Sequence, residues 1–340
     1  MRRRDKTRAR CYNIDMKDVK IVVLDGDCAN PGDLDWDAFR AIGEVEVFPH
    51  TSADEVIARA AGADVLLDNK VELTAGILGA LPSVKYIGLL STGYNVVDLA
   101  AADKLGVTVT NVPSYSTMSV AQHTFALLLS YAGRVGEHVD SVRRGDWSRC
   151  DNFCYWLREP IELCGKTMGI IGYGEIGRAV ASIAHALGMN VLANRRSRGA
   201  AAQPFVRMAE LPELLAKSDV VSLHCSLNGG NAHMVDAAFL AAMKRGAVLI
   251  NTARGGLVDE DAVCDALESG ALGAYLADVC EHEPPEEGRR IFGEKDAALT
   301  PHIAWASREA RGRLLAEAAL NLAAWLRGEA RNVVNSPRKI

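Results

Sequence analysis

No apolar run in this 340-residue chain approaches the roughly eighteen residues of a membrane span, so nothing in it reads as one. The eight cysteines form no Cys-x-x-Cys pair and no Cys/His cluster at zinc spacing. Cys150 and Cys154 lie four apart, a weak metal signal. Buried, reduced thiols in a cytoplasmic protein are expected instead, with no metal. A net charge of −5 lacks the basic excess of a general nucleic-acid or membrane-surface binder. The first ten residues differ, with six Arg or Lys, but they lack the apolar stretch of a secretory signal. Residues 1–15 are read as a disordered basic tail or a mis-assigned start before Met16, with a nucleic-acid arm as the alternative.

What is present is an ordinary globular composition. A hydrophobic fraction of 49% with 24% charged residues supports a sizeable core, and the length suggests two domains. Short apolar strands alternate with helical segments. Ile21–Leu24, Val45–Phe48, Asp64–Leu67, Tyr86–Leu89 and Val107–Thr110 read as strands. Asp35–Ile42, Ala53–Ala61, Thr74–Leu81 and Val96–Leu105 read as the helices between them. Such alternation predicts βαβ units and a parallel sheet. A long helix is expected from Ser119 to about Arg144, capped by Ser116 or Thr117. The alternation restarts at Thr167, with strands at Met168–Ile171, Asn190–Ala193, Asp219–His224, Ala247–Asn251, Ala274–Asp278 and Ala298–Thr300. Ser307–Arg327 reads as a final helix stopped by Gly328. No low-complexity linker separates the two series. The boundary is drawn near Asn111-Val112-Pro113-Ser114, from proline chemistry and the restart of the pattern.

The restart carries Gly172-Tyr173-Gly174-Glu175-Ile176-Gly177 between a strand and an amphipathic helix. In that context a GxGxxG pattern points to a dinucleotide. Gly172 permits the tight turn, Gly174 lets backbone approach a pyrophosphate, and Gly177 lets helix and strand pack. The N–H groups of Glu175 and Ile176 open the helix toward phosphate. What is missing is the acidic residue about twenty positions on that accepts the adenosine 2′-OH in NAD sites. Arg195 and Arg196 stand there, with Arg198 close by. Guanidinium groups suit a 2′-phosphate, so NADP(H) is expected over NAD(H). The alternative is a solvated arginine loop in an enzyme that uses NAD(H).

Three further residues follow strands of the second series. They are Arg254 in Asn-Thr-Ala-Arg-Gly-Gly, Glu283 in Glu-His-Glu-Pro-Pro, and His302 in Thr-Pro-His-Ile-Ala-Trp. The carboxyl edge of such a sheet is where ligands bind. A guanidinium can hold a substrate carboxylate and polarise its carbonyl. A histidine with a carboxylate partner can deliver a proton to the oxygen as hydride reaches C2. The set fits reduction of a 2-keto acid. Taken singly, each has a plainer reading: a surface arginine, a solvated acidic turn, a packed or capping histidine.

These segments, with Ser222-Leu223-His224-Cys225 and Asn251–Glu260, resemble the D-isomer-specific 2-hydroxyacid dehydrogenase family from Met16 onward. Lys70 in Asp-Asn-Lys-Val, and Ser91-Thr92-Gly93-Tyr94-Asn95, look most like its glycerate dehydrogenase (hydroxypyruvate reductase) branch. The resemblance implies a Rossmann cofactor domain at 115–303. It implies a discontinuous, flavodoxin-like substrate domain at 16–114 and 304–340, both doubly wound. It implies that Arg254 orients the substrate, His302 is the acid/base and Glu283 is its partner. Thr92 and Gly93 would cradle the carboxylate, with Lys70 beside them. Asp278 would face the nicotinamide, Cys225, Thr252 and Ala253 would line the cofactor, and Thr117 would touch it. The helix from Ser119 would engage a two-fold partner in a homodimer.

The chain departs from the family pattern in places. Ser226-Leu227-Asn228 replaces Pro-Leu-Thr, Gly229-Gly230-Asn231 follows, and Gln122 replaces a common Glu. The leading expectation is NAD(P)H-dependent reduction of hydroxypyruvate, with glyoxylate as a second substrate. A broad 2-keto acid reductase is the alternative within the class. A non-catalytic cofactor sensor on the same fold is the alternative outside it.

Overall fold

The computed structural model describes residues 19–196 and 203–337. The basic tail at 1–15, and Arg198, lie outside the described residues. The chain divides into two compact units, Met1–Ser116 with Ala306–Ile340, and Thr117–Trp305.

The first unit is built on five parallel strands: β1 Lys20–Val23, β2 Glu44–Val47, β3 Val65–Asp68, β4 Tyr86–Leu89 and β5 Thr108–Thr110. Their order is β2-β1-β3-β4-β5, the flavodoxin-like arrangement. Register is fixed by pairs such as Val23↔Val47 and Val23↔Leu67. One face of the sheet presents Val22, Leu66, Ile87 and Val109, which pack on Val56, Leu78 and Ala102 of the covering helices. The helix Leu99–Leu105 starts later than its periodicity suggests, because the Asp98 side chain caps it by accepting from the Ala101 amide. The closing helix Arg308–Leu326 is capped by Ser307.

The second unit holds seven parallel strands. They are β6 Thr167–Ile171, β7 Asn190–Asn194, β8 Val206–Met208, β9 Val220–Leu223, β10 Ala247–Asn251, β11 Leu272–Ala277 and β12 Ala297–Leu299. The order β12-β11-β10-β9-β6-β7-β8 is the doubly wound Rossmann arrangement with one added edge strand. Alternate residues feed two cores. Met168, Ile170, Val191, Val248 and Ile250 pack beneath the helices Thr117–Gly133 and Glu175–Ala186. Ile171, Leu192, Val221, Leu249 and Tyr275 pack on the opposite face with Leu214, Phe239 and Val263. A sheet buried on both sides explains why its strands read as continuous apolar runs.

The long helix and one edge strand also differ from the sequence reading. The long helix is broken. Arg134 takes a left-handed conformation (φ 50°) between the helices Thr117–Gly133 and Val135–Arg143. The short edge strand β8 has no counterpart in the apolar pattern.

Candidate active site

The strand order of the second unit reverses between β6 and β9, and the glycine turn lies at the carboxyl end of β6. Gly172 has φ 98°, and a Cβ there would sit 2.5 Å from the Cys225 amide nitrogen and the His224 carbonyl carbon. A Cβ on Gly177 would come within 2.3 Å of the Gly172 carbonyl oxygen. Gly174, by contrast, faces open space. So two glycines are demanded by internal packing, and the third leaves room for a group outside. Gly174 is the N-cap of the helix Glu175–Ala186, whose Glu175 and Ile176 amides begin its first turn. Pyrophosphate fits such a cradle.

The other residues expected at the cofactor lie on neighbouring segments. Thr117 donates to Glu175 Oε2 at 3.5 Å. Cys225 is half-buried and its thiol is pushed up by burial. Thr252 is buried and its hydroxyl lies 3.1 Å from that of Thr124. Ala253 donates its amide to Asn251 Oδ1 at 3.1 Å. Beyond β7, Arg196 is exposed, and Nη2 of Arg195 is buried with no partner among the described residues. An orphaned guanidinium nitrogen suits an anionic ligand atom.

His224 was not singled out from the sequence. Its Nε2 lies 2.8 Å from the Ser222 hydroxyl, and burial pushes its pKa down to about 3, so the ring stays neutral. The unusual loop after it is held by its own asparagines. Asn228 donates its amide to Asn231 Oδ1 at 2.7 Å, and Asn231 Nδ2 donates to the Ser226 carbonyl at 2.8 Å. These bonds replace the stiffness that a proline supplies.

The three chemical residues follow β10, β11 and β12. Glu283 and His302 meet directly: His302 Nδ1 is 2.6 Å from Glu283 Oε2. The other Glu283 oxygen accepts the Cys280 amide at 3.0 Å. A carboxylate is an acceptor only, so Nδ1 carries the proton and the Nε2 edge is left for chemistry. Arg254 is exposed and donates Nη1 to the Ala253 carbonyl at 2.7 Å. Its loop is pressed onto the Glu283 loop through Gly255, where a Cβ would lie 1.7 Å from the Cys280 carbonyl oxygen.

His302 has φ 54°, a region unfavourable for a side-chain-bearing residue by about 1–2 kcal/mol. Asp278 holds it there. Its carboxylate is 1% exposed and accepts the amides of Ile303 (2.9 Å) and Ala304 (2.7 Å) and the hydroxyl of Thr300 (2.5 Å). His123 Nε2 reaches Thr300 Oγ1 at 2.9 Å and Asp278 Oδ1 at 3.5 Å. Asp278, expected among the cofactor contacts, thus anchors the histidine loop. His123 and Thr300 carry no motif in the sequence, and only the fold brings them to this carboxylate.

Residues 125–304, more than half of the 340-residue chain, match the family model described as D-isomer specific 2-hydroxyacid dehydrogenase, NAD binding domain. The chain belongs to the D-isomer-specific 2-hydroxyacid dehydrogenase family. The dehydrogenase is 44% identical over 321 residues to a hydroxypyruvate reductase of Blautia hydrogenotrophica, covering 93% of this chain and 100% of that one. It is 39% identical over 314 residues to a glycerate dehydrogenase of Methylorubrum extorquens, covering 89% and 98%. These relatives place it in the glycerate dehydrogenase and hydroxypyruvate reductase branch. Among solved structures, an acyclic imino acid reductase in complex with NADPH and D-arginine matches with TM-score 0.82 at 29% identity, covering 93% and 100%. The second unit is the dehydrogenase's nicotinamide-dinucleotide-binding domain.

The substrate candidates on the first unit lie at the carboxyl edge of its own sheet. Lys70 is exposed and follows β3, and Thr92 and Gly93 follow β4. The Thr92 hydroxyl donates to the Val112 carbonyl at 2.9 Å, so only its backbone is offered. Among the described residues, the Thr92 and Gly93 amides donate to no protein acceptor, as an anion cradle requires. No group of His, Cys, Asp and Glu among the described residues forms a metal site, and no described helix is long and apolar enough to cross a membrane.

Proposed function

We propose that this dehydrogenase reduces hydroxypyruvate to D-glycerate with NADPH, and glyoxylate to glycolate as a second activity. The carrying observation is the 2.6 Å contact between His302 and Glu283 on loops of the cofactor domain. Gly172, Gly174, Glu175, Ile176 and Gly177 would hold the pyrophosphate, with Thr117, Cys225, Thr252, Ala253 and Asp278 along the rest of the cofactor. When bound, the reduced nicotinamide supplies the hydride. Glu283 keeps the proton on His302 Nδ1, and the protonated ring donates Nε2–H to the C2 oxygen as that oxygen gains charge. Arg254 grips the substrate carboxylate and carbonyl with its fork. On the first unit, Lys70 and the amides of Thr92 and Gly93 are further carboxylate ligands.

Arg195 and Arg196, with no acidic residue in their place, support NADPH over NADH. An imino acid reductase of similar fold in complex with NADPH supports the same reading. Steady-state kinetics on hydroxypyruvate, glyoxylate, pyruvate and larger 2-keto acids, each with NADH and NADPH, tests the whole reading. A preference for a larger keto acid favours the broad reductase. Absence of turnover with every substrate favours a cofactor sensor.

A homodimer is part of the proposal. The helix Val135–Arg143 and the segment after it expose Val135, Val139, Val142, Trp147, Phe153 and Trp156, with Phe153 at 92%. Apolar exposure on this scale marks an interface. Sedimentation at micromolar concentration checks it, and a monomer would remove it. The seven cysteines among the described residues are all free, but only Cys264 is buried, against the expected burial; a reducing, cytoplasmic setting is part of the proposal.

A further inference from the structure

The first unit carries two buried carboxylates that the reaction above leaves unused. Asp25 follows β1 and Asp68 ends β3, and these strands are neighbours. Asp25 is 2% exposed and Asp68 is 0% exposed. Asp25 accepts the Asn69 amide on Oδ1 at 2.9 Å and the Lys70 amide on Oδ2 at 2.7 Å. Asp68 Oδ1 accepts the Val71 amide at 3.1 Å, while its Oδ2 is buried with no partner. Three consecutive amides therefore end on two carboxylates. The strand order of this sheet reverses between β1 and β3, the place where open parallel sheets bind ligands.

Two ionised carboxylates in one dry pocket repel each other, and a bare carboxylate oxygen there has lost its solvation. One proton relieves both problems. The hydrogen bonds say where it goes. Asp25 has both oxygens stabilised by amides, so it keeps the charge. Asp68 has the orphaned oxygen, so it takes the proton. Burial pushes Asp25 up to about 6 against the pull of its two amides and the Lys70 cation. Burial, then the charge of Asp25, pushes Asp68 well above the usual carboxylate range. Cys28 also faces the pair, its thiol pushed up by burial and by the Asp25 charge.

We propose that Asp25 and Asp68 are positioning residues that hold one proton between them and clamp the amides of Asn69, Lys70 and Val71, fixing where Lys70 is presented. This rests on the reading of Lys70 as a substrate ligand. Protonating Asp25 weakens two charge-assisted bonds and loosens the loop. KM for the keto acid then rises as pH falls through about 6. Ionising Asp68 at alkaline pH places a second charge in the pocket and raises KM again.

The test uses the full chain with hydroxypyruvate and NADPH, following KM and kcat separately from about pH 5 to 9. Asp25→Asn presents a donor to one of the clamped amides. It should raise KM about tenfold at neutral pH, leave kcat within about twofold, and flatten the acid limb. Asp68→Asn imitates the protonated acid. It should keep neutral KM and the acid limb while losing the alkaline rise. Should Asp25→Asn not fold, Asp68→Asn decides alone, and an alkaline limb identical to wild type overturns the proposal. So does a loss in kcat with KM unmoved in either variant. Lys70→Met separates the two readings: unchanged KM removes Lys70 from substrate binding. The clamp is then read by hydrogen exchange over Asn69–Val71. Asp25→Asn should accelerate it about tenfold and Asp68→Asn should not, and wild-type exchange in Asp25→Asn overturns it.

Discussion

His302 Nδ1 lies 2.6 Å from Glu283 Oε2, although the residues are nineteen apart and leave different strands. The side chains keep 24% and 33% of their surface exposed, so both remain reachable from solvent. His302→Ala should lower kcat for keto acid reduction by about a hundredfold to ten-thousandfold, with NADPH affinity retained. Glu283→Gln should cost less, about tenfold to a hundredfold, because the histidine stays but its cation loses a partner. Single-turnover and cofactor titration experiments check both. Near-normal kcat in His302→Ala would take the proton away from this residue.

Arg254→Lys keeps the charge and loses the fork. KM should rise and kcat should fall together, by about tenfold or more each, because a point charge cannot fix both carboxylate and carbonyl. A change in KM alone would restrict Arg254 to ground-state binding.

Replacing Arg195 and Arg196 by serine should raise KM for NADPH by about tenfold or more and leave KM for NADH nearly unchanged. A wild-type enzyme with higher kcat/KM for NADH would sink the 2′-phosphate reading before any variant is made.

A methyl group at Gly255 meets the Cys280 carbonyl oxygen at 1.7 Å. Gly255→Ala should therefore cost about 3 kcal/mol and lower Tm by roughly 6–12 °C, or displace the Glu283 loop and lose activity. Wild-type Tm and kcat together would show that the two loops are not in contact.

His224 gives a pH signature in stability rather than rate. Burial pushes its pKa from 6.5 to about 3 in the folded chain. Between those values the unfolded chain binds a proton that the native chain refuses, so stability falls as pH drops through that window. Denaturant titrations of wild type and His224→Gln should show the acid slope reduced in the variant. Equal slopes would place the acid sensitivity elsewhere.

The alternation of strands and helices was legible because both sheets are parallel. Val65–Leu67 or Leu249–Ile250 can only be continuous apolar runs when both faces are covered. The break at Arg134 was not legible. Its left-handed backbone is supported by partners that the local sequence does not announce: the Tyr131 ring at 4.1 Å, and Asp296 at 4.0 Å, far along the chain. Three-residue β8 is too short to show a period. At the site, motif positions named Arg254, Glu283 and His302. The burial that turns Asp278 into an anchor depends on amides 25 and 26 residues away, and no spacing rule reports that.

The reversal of strand order between β6 and β9 separates two decisions. Arg195 and Arg196 hang from β7 on one side, with β8 pairing along β7 as far as Ala193↔Met208. The loops of Arg254, Glu283 and His302 hang from β10, β11 and β12 on the other. On the proposed reading, cofactor choice and bond chemistry fall on opposite wings of one sheet. On that reading a lineage exchanges its electron currency by editing a few side chains beyond β7, with the proton-handling loops left as they are.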